Sequence, residues 1–567
     1  LENVRLTLYR QNGLTYELTC PNAEFNSETK EANAKGGVRV VSSDGVDIQT
    51  AEIHYDGNRL TNNIPVQFRI DRWQGNAGAL DLEVASENLQ LKNHVAATMT
   101  PANPADASMT INAADALFRR TQNDVTFTTK VVMTRGADRI AAEIMNGRFT
   151  PDRKSLTAME GHGHVQMVMS NAVTPGESLG GRKVVDCERF FSEVGPDGQI
   201  AAIDAVGEPG LAHAVLDGPP RRDIVARTFR IGLQNRAVHE IKADWNVVMK
   251  EFGETERTST ADHVTVNFDA AEHKAVSAFV EGNFHYHDAK TDAHAVRANY
   301  DIVNDRVVLT AIPGFDPSVT TDGNVLKAKQ IEFSPRAQTA RASTDVIAQL
   351  VSKSGVSPES TNIFPGGGKE PVFVNSDSLI MRQADKTAVF TGNVKAWQSM
   401  NALFAQELQV QGNGDLITAR TNVRTMLYNT GGDQWRKTPM VAKSDMLAAK
   451  RADRRVELTG NVQIDDDTRT MTSQNATFLF DTNHKLDRID AQNKIVMVEK
   501  PTNRKMTGDK ATYLVAKRLV YIDGSPATAT GPQGSIAGGQ IVYDLARNHV
   551  QVVSPGSKTE INYNQTQ

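Results

Sequence analysis

The strongest pattern along the chain is an alternation of apolar and polar positions with period two, which sends successive side chains to opposite faces of a strand. In the stretch Thr472–Asp481, Ala476, Phe478 and Phe480 fall on one face and Asn475 and Thr477 on the other, with Leu479 as the exception. Val462 and Ile464 share a face and run into Asp465-Asp466-Asp467, which reads as a turn. Residues that accept tight backbone geometry mark further turns at Asp56-Gly57-Asn58, Pro196-Asp197-Gly198 and Asp523-Gly524. Helical periodicity is nearly absent, so the predicted class is all-β. One stretch departs from the rule. Thr344 is placed to cap a short helix over Asp345–Val351, and Pro358, Pro365 and Gly366-Gly367-Gly368 make the following residues read as a linker to 371.

A phrase recurs within this pattern. A strand ending in an aromatic residue and Asp is followed by a polar turn, then by a second strand that ends near Gly-Asn-Val. The first half appears at Asp47–Asp56, Thr260–Asp269, Val296–Asp301, Thr472–Asp481, Gly508–Tyr513 and Gly538–Asp544. The second half appears at Gly282-Asn283-Phe284, Gly392-Asn393-Val394 and Gly460-Asn461-Val462. Copies stand roughly 30 to 38 residues apart, a spacing expected of stacked repeats. A strand pair cannot bury its apolar face alone, so the copies are expected to stack into two facing sheets around an apolar interior. At roughly ten residues per strand the chain supplies about 50 strands. Whether that interior closes as a packed core or stays open as a slot is not decided by periodicity.

Composition narrows the functions. Hydrophobic residues are 39% and aromatics 6% of 567 residues, thin for several globular cores but suited to strands that show one face to solvent. A net charge of −5 argues against a nucleic-acid-binding surface, which needs clustered Lys and Arg. Cys20 and Cys187 show neither metal-ligand spacing nor a redox motif, and their pairing as a disulfide is left open. No apolar run is long enough for a transmembrane helix. A start at Leu1 fits removal of an N-terminal signal or anchor, which is expected to tether the chain to the inner membrane.

Two stretches resemble a known family. Residues Gly36–Val95 carry Asp44-Gly45-Val46, Tyr55-Asp56, Pro65-Val66, Trp73-Gln74-Gly75-Asn76-Ala77-Gly78 and Leu89–Val95, and are similar to the lipopolysaccharide-transport protein LptC. Residues Val372–Val553 carry Ala388–Val394, Arg455–Val462 and Met506–Tyr513, and resemble LptA and the OstA-like domain that LptA shares with LptD. The middle, Ile111–Phe333, holds weaker copies. The resemblance implies a twisted two-sheet β-jellyroll, a half-open roll of OstA-like repeats whose apolar interior shelters the acyl chains of lipopolysaccharide. It implies a periplasmic bridge protein, not an enzyme, that passes lipid toward the outer membrane. Its partners would be the inner-membrane ABC transporter complex and outer-membrane LptD, reached by edge-strand pairing, with no cofactor. The implied layout is an LptC-like roll over 1–100, further repeats over 101–343, the helix and linker over 344–371, and an LptA-like roll over 372–567. LptA and LptC are each far shorter than this chain, and an LptC–LptA fusion is the simplest account.

The candidate lipid contacts are apolar residues on strand faces of the C-terminal block: Phe404, Leu408, Val410, Val462, Ile464, Ala476, Phe478, Phe480, Ile541 and Tyr543. Ordinary sandwich core explains the same pattern, and with it comes the alternative of an envelope scaffold with a closed interior and no lipid. His285 and His287 share a strand face but lack a third zinc ligand in the sequence, and a solvated face is favoured there and at His162-Gly163-His164. Gly366-Gly367-Gly368-Lys369 lacks the Ser or Thr of a phosphate loop, and Asp465-Asp466-Asp467 lacks the glycine and glutamate of a calcium loop. No catalytic motif stands out, and no cluster of acids marks a carbohydrate-active solenoid.

Overall fold

A computed structural model of the chain describes residues 1–10, 13–101, 107–171, 181–195, 200–217, 220–234, 237–269, 274–334, 337–351, 370–412, 414–428, 437–482, 485–532, 534–553 and 559–563. Among these residues there are 42 strands and no helix, hence no helix long and apolar enough to cross a membrane. The strand pairs are antiparallel. The chain forms two compact units, Leu1–Ala289 with Asp301–Val303, and Lys290–Tyr300 with Asn304–Gln567.

The helix expected after Thr344 is absent. Residues 344–350 complete a strand, Thr339–Leu350, which pairs with Val372–Arg382. Val346 and Ala348 are buried while Asp345 and Ile347 are exposed, so the period is two. β-Branched Thr344, Val346 and Ile347 favour the pleated backbone over the helix. The linker residues Ser354–Lys369 and the turn Pro196–Gly198 lie outside the described residues.

The long strands of the second unit are not straight. Each is bent near its middle, where the register shifts, by one residue between Asn375 and Ser378, Phe404 and Glu407, and Lys443 and Met446, and by two residues on Leu519–Gly531. Alternate strands carry the extra residue, as expected of β-bulges that bend a strand and keep the rest of the ladder paired. In one kind of bulged strand two successive residues have positive φ: Thr344-Asp345, Thr421-Asn422 and Asn493-Lys494. In the other the pair is Gly392-Asn393 or Gly460-Asn461. The Gly-Asn-Val phrase therefore marks a mid-strand corner and not a strand end, and Asp523-Gly524 likewise lies inside a strand, Leu519–Gly531.

The corner has a defined chemistry. Asn393 and Asn461 each donate from Nδ2 to an Asp on the preceding strand, Asp377 or Asp445, at 2.9 Å. The buried Ser376 and Ser444 donate to the carbonyl two residues on, at 2.9 Å. In the first unit Gly282-Asn283 uses Asp262 in the same way, and Gly163-His164 is the corresponding corner against Glu143. Glycine is required at these positions. A Cβ on Gly460 would lie 3.0 Å from the Asp445 Cβ and closer still to its carboxylate, at a φ of +79°. The Ser-Asp and Gly-Asn pairs both return after the same step of 68 residues (376 to 444, 392 to 460). The repeating block is thus four strands, twice the unit that the recurring phrase suggests.

The first unit closes one edge with charge. The core packs Phe68, Trp73, Phe118 and Phe127 at centroid distances of 5.5–6.2 Å. Beside it, turn residues from distant parts of the sequence meet. Arg10 pairs with Asp44 at 3.1 Å and Glu87 at 2.9 Å, and lies over the Tyr16 ring. Arg120 pairs with Asp44 at 3.1 Å and Asp71 at 3.4 Å, and Arg153 reaches both carboxylates at 3.5 Å. Burial pushes the Asp44 carboxyl up, but the hydrogen bond from Ser42 and the Arg120 and Arg10 charges outweigh it and bring it down to about 2. Cys20 and Cys187 are buried free thiols in the same unit, and burial pushes Cys187 up to about 12.

Two outcomes follow. Gly460→Ala should lower stability by about 2–4 kcal/mol, from left-handed strain plus the clash with Asp445. Adding Asp445→Ala should cost less than the sum of the two single changes in urea unfolding, and strict additivity would show that this Asp does not press on the corner. Because Asp44 titrates lower in the folded state than in the unfolded chain, its contribution is full above pH 4 and is lost as pH falls toward 2. Acid unfolding of Asp44→Asn, followed by near-ultraviolet circular dichroism, should show a flatter pH dependence across that window.

Candidate functional site: the apolar interior of the second unit

The corners divide each strand of the second unit into two arms. Residues 401–404, 423–427, 440–443 and 462–465 build one arm, and 407–411, 416–420, 446–450, 455–459 and 475–480 build the other. The inward side chains of the two arms face each other and enclose a cavity of about 40 Å³. Leu403, Thr425, Leu427 and Ala442 line it from the first arm, and Ile417, Leu447, Ala449, Val456, Leu458, Phe478 and Phe480 from the second. Thr425 is its sole polar lining residue, and the Thr425 hydroxyl donates to the Ala442 carbonyl at 3.4 Å. The lining therefore offers a hydrocarbon no unpaired polar group to desolvate.

The residues singled out from sequence fall into three groups. Phe478 and Phe480 line the cavity. Leu408, Val410, Val462, Ile464 and Ala476 point inward on the same arms, all but Val410 fully buried. Ile541 and Tyr543 are buried farther along, on strand Gly534–Asp544. Tyr543 is held at its hydroxyl, 2.5 Å from Glu499 Oε1 and 2.9 Å from Asn548 Oδ1. Burial first, and then the Glu499 carboxylate, push Tyr543 up to about 12.

Phe404 is the exception, because it faces outward. It is half-buried beneath Arg424, whose guanidinium lies 5.7 Å from the ring centroid, while its neighbours Leu403 and Ala405 are buried. The cause is the corner. On this strand the inward set is Leu403 and Ala405 before the bend but Leu408 and Val410 after it, so an unbroken period of two assigns 404 to the wrong face. Leu403, Leu427, Leu447 and Leu458 were missed for related reasons. The signal that could have found them is the Gly-Asn pair on the neighbouring strand, which fixes where the period breaks.

The Asp465–Asp467 motif serves the backbone. Asp466 Oδ1 accepts from the amides of Thr468 and Arg469 at 2.9 and 2.8 Å, and Lys500 donates to the Asp466 carbonyl at 2.7 Å. His162 lies 2.8 Å from Glu160. The His285 and His287 rings sit 6.3 Å apart on one strand. Gly366–Lys369 lies outside the described residues.

Bulge-bent antiparallel strands with an apolar space between their arms define a β-jellyroll. Comparison with known families finds similarity over two stretches of the chain. Residues 1–100 match the family described as lipopolysaccharide-assembly, LptC-related, and residues 373–440 and 441–549 match the LptA/(LptD N-terminal domain) lipopolysaccharide transport protein family. These two stretches are therefore similar to lipopolysaccharide-transport domains, one of the LptC type and one of the LptA type. The 373–440 match spans one four-strand block. Among solved structures, similarity is found to LptH of Pseudomonas aeruginosa, titled the LptA homologous periplasmic component of the lipopolysaccharide transport device. It is 17% identical over 23% of this chain and 96% of that one, with a TM-score of 0.21. No curated protein matches.

The two faces predict opposite mutational costs. Phe478→Ala should destabilise by about 3–5 kcal/mol because it empties packed interior. Phe404→Ala should cost under about 1 kcal/mol, as at a solvent face. Chemical unfolding of both variants checks the assignment, and equal costs would reverse it.

Proposed function

We propose that this chain is a passive conduit of the periplasm that shelters the acyl chains of lipopolysaccharide between the arms of its bent strands and hands the lipid toward the outer membrane. The observation that carries this reading is the coincidence of the LptA-type matches with the strands that enclose the apolar cavity. Removing an acyl chain from water is favourable by about 0.8 kcal/mol per methylene, which is ample reason for such cargo to need an apolar sleeve. At about 40 Å³ the cavity is well below the roughly 150 Å³ of a cavity that admits benzene. Loading would therefore spread the two arms at their free ends, away from the corners, beginning at Phe480 and Val456.

Handover to partners would use strand edges. Among the described residues, Glu2–Tyr9 pairs only with Thr15–Phe25. At the other terminus His549–Val553 and Glu560–Tyr563 each pair with Gly534–Asp544. Both leave backbone groups open for strand addition, with the ABC transporter complex and LptD as the proposed neighbours. The small cavity favours a second reading, a scaffold with a sealed dry interior.

Photo-crosslinking separates the two readings. A photoreactive residue at Phe478 or Phe480 should label lipopolysaccharide, and one at outward-facing Thr477 or Phe404 should not. Absence of label at every inward position, with no lipopolysaccharide in the mass spectrum of the purified chain, would leave the scaffold.

A further inference from the structure

The outer face of the first arm carries an arrangement that lipid carriage does not explain. One row of directly paired residues crosses seven strands in the order Lys327, Ile347, Asn375, Lys395, Phe404, Arg424, Lys443. The adjacent row holds Phe373 and Trp397, whose rings stack at 5.3 Å with 17° between their planes. Lys395 Nζ lies 5.0 Å from the Trp397 centroid and Arg424 sits over Phe404. Elsewhere on the sheet surface cross-strand cations face carboxylates: Arg39 with Asp47, Arg119 with Asp124, Arg230 with Asp204, Arg420 with Glu407. Here Lys395 and Arg424 lie over rings instead. The four cations of this row have no carboxylate within ion-pair distance among the described residues. The nearest acids along the same strands stand two residues away at the corners: Asp377 and Asp445 accept from Asn393 and Asn461, and Asp345 lies 4.0 Å from Lys329 Nζ.

We propose that this face docks on an anionic lipid bilayer. In a chain with a net charge of −5, an exposed row of four cations without carboxylate partners is a local reversal of sign that is complementary to acidic headgroups. At about 4.8 Å per strand the row extends roughly 29 Å, wide enough to cover several headgroups at once. Interleaved Trp and Phe suit the membrane–water boundary, where an amphipathic ring is anchored beside basic side chains. Each basic side chain close to an acidic surface strengthens attachment by about fivefold, and the attraction fades within a Debye length as salt rises.

The test uses the full chain and vesicles free of lipopolysaccharide, so its result is independent of the conduit reading. Sedimentation with phosphatidylglycerol–phosphatidylcholine vesicles at low salt should show binding that pure phosphatidylcholine does not support. The triple variant Lys395→Gln/Arg424→Gln/Lys443→Gln should lower partitioning by roughly 100-fold. A control with the same charge change on the other arm, Lys450→Gln/Arg455→Gln/Arg488→Gln, should bind like the parent. Equal losses in both variants, equal binding to both vesicle types, or no binding by the parent would each overturn the proposal.

Discussion

The structure depends on one constraint: a hydrogen-bonded ladder must stay paired while every strand turns a corner. Backbone amides and carbonyls left unpaired inside the fold would cost more than the bend returns. The solution is one extra residue on alternate strands, held where two successive residues take positive φ. Asp377 and Asp445 on the intervening strands supply the acceptors that fix the Gly-Asn corners. The two arms, the apolar space between them and the separation of inner from outer face all follow from that arrangement. So does the inversion at Phe404, whose side chain meets Arg424 where straight-strand reasoning places it against lipid.

Much of the fold was legible in the sequence because alternation is a local property. Strand identity, the Asp465–Asp467 and Asp56–Asn58 turns, and the inward placement of Val462, Ala476 and Phe478 all came from a period of two. The missing part concerns the phase of that period. A corner consumes three residues on a non-bulged strand, so the inward set changes parity at Ser376 to Leu379, Ala405 to Leu408 and Ser444 to Leu447. Nothing within those strands announces the change. The announcement sits on the next strand, in Gly392-Asn393 or Gly460-Asn461. The helix expected after Thr344 failed for the same reason, because Thr344-Asp345 is a corner that resembles a cap. The cavity lining was legible only as far as Phe478 and Phe480, since the rest depends on which arms face each other.

Polar and apolar means of holding the chain are distributed unevenly. In the first unit Arg10, Asp44, Asp71, Glu87, Arg120 and Arg153 tie turns that are far apart in sequence, and removing any one partner would strand a buried charge. Along the second unit the interior is held by packing between arms, which resists shape change less than a charge network does.

The step of 68 residues has a further meaning. Because each four-strand block presents the same Ser-Asp and Gly-Asn corners to the next, a duplicated block would meet neighbours it already fits. Gene-level duplication or loss in such modules would change how many blocks a chain carries while leaving every junction of a familiar kind.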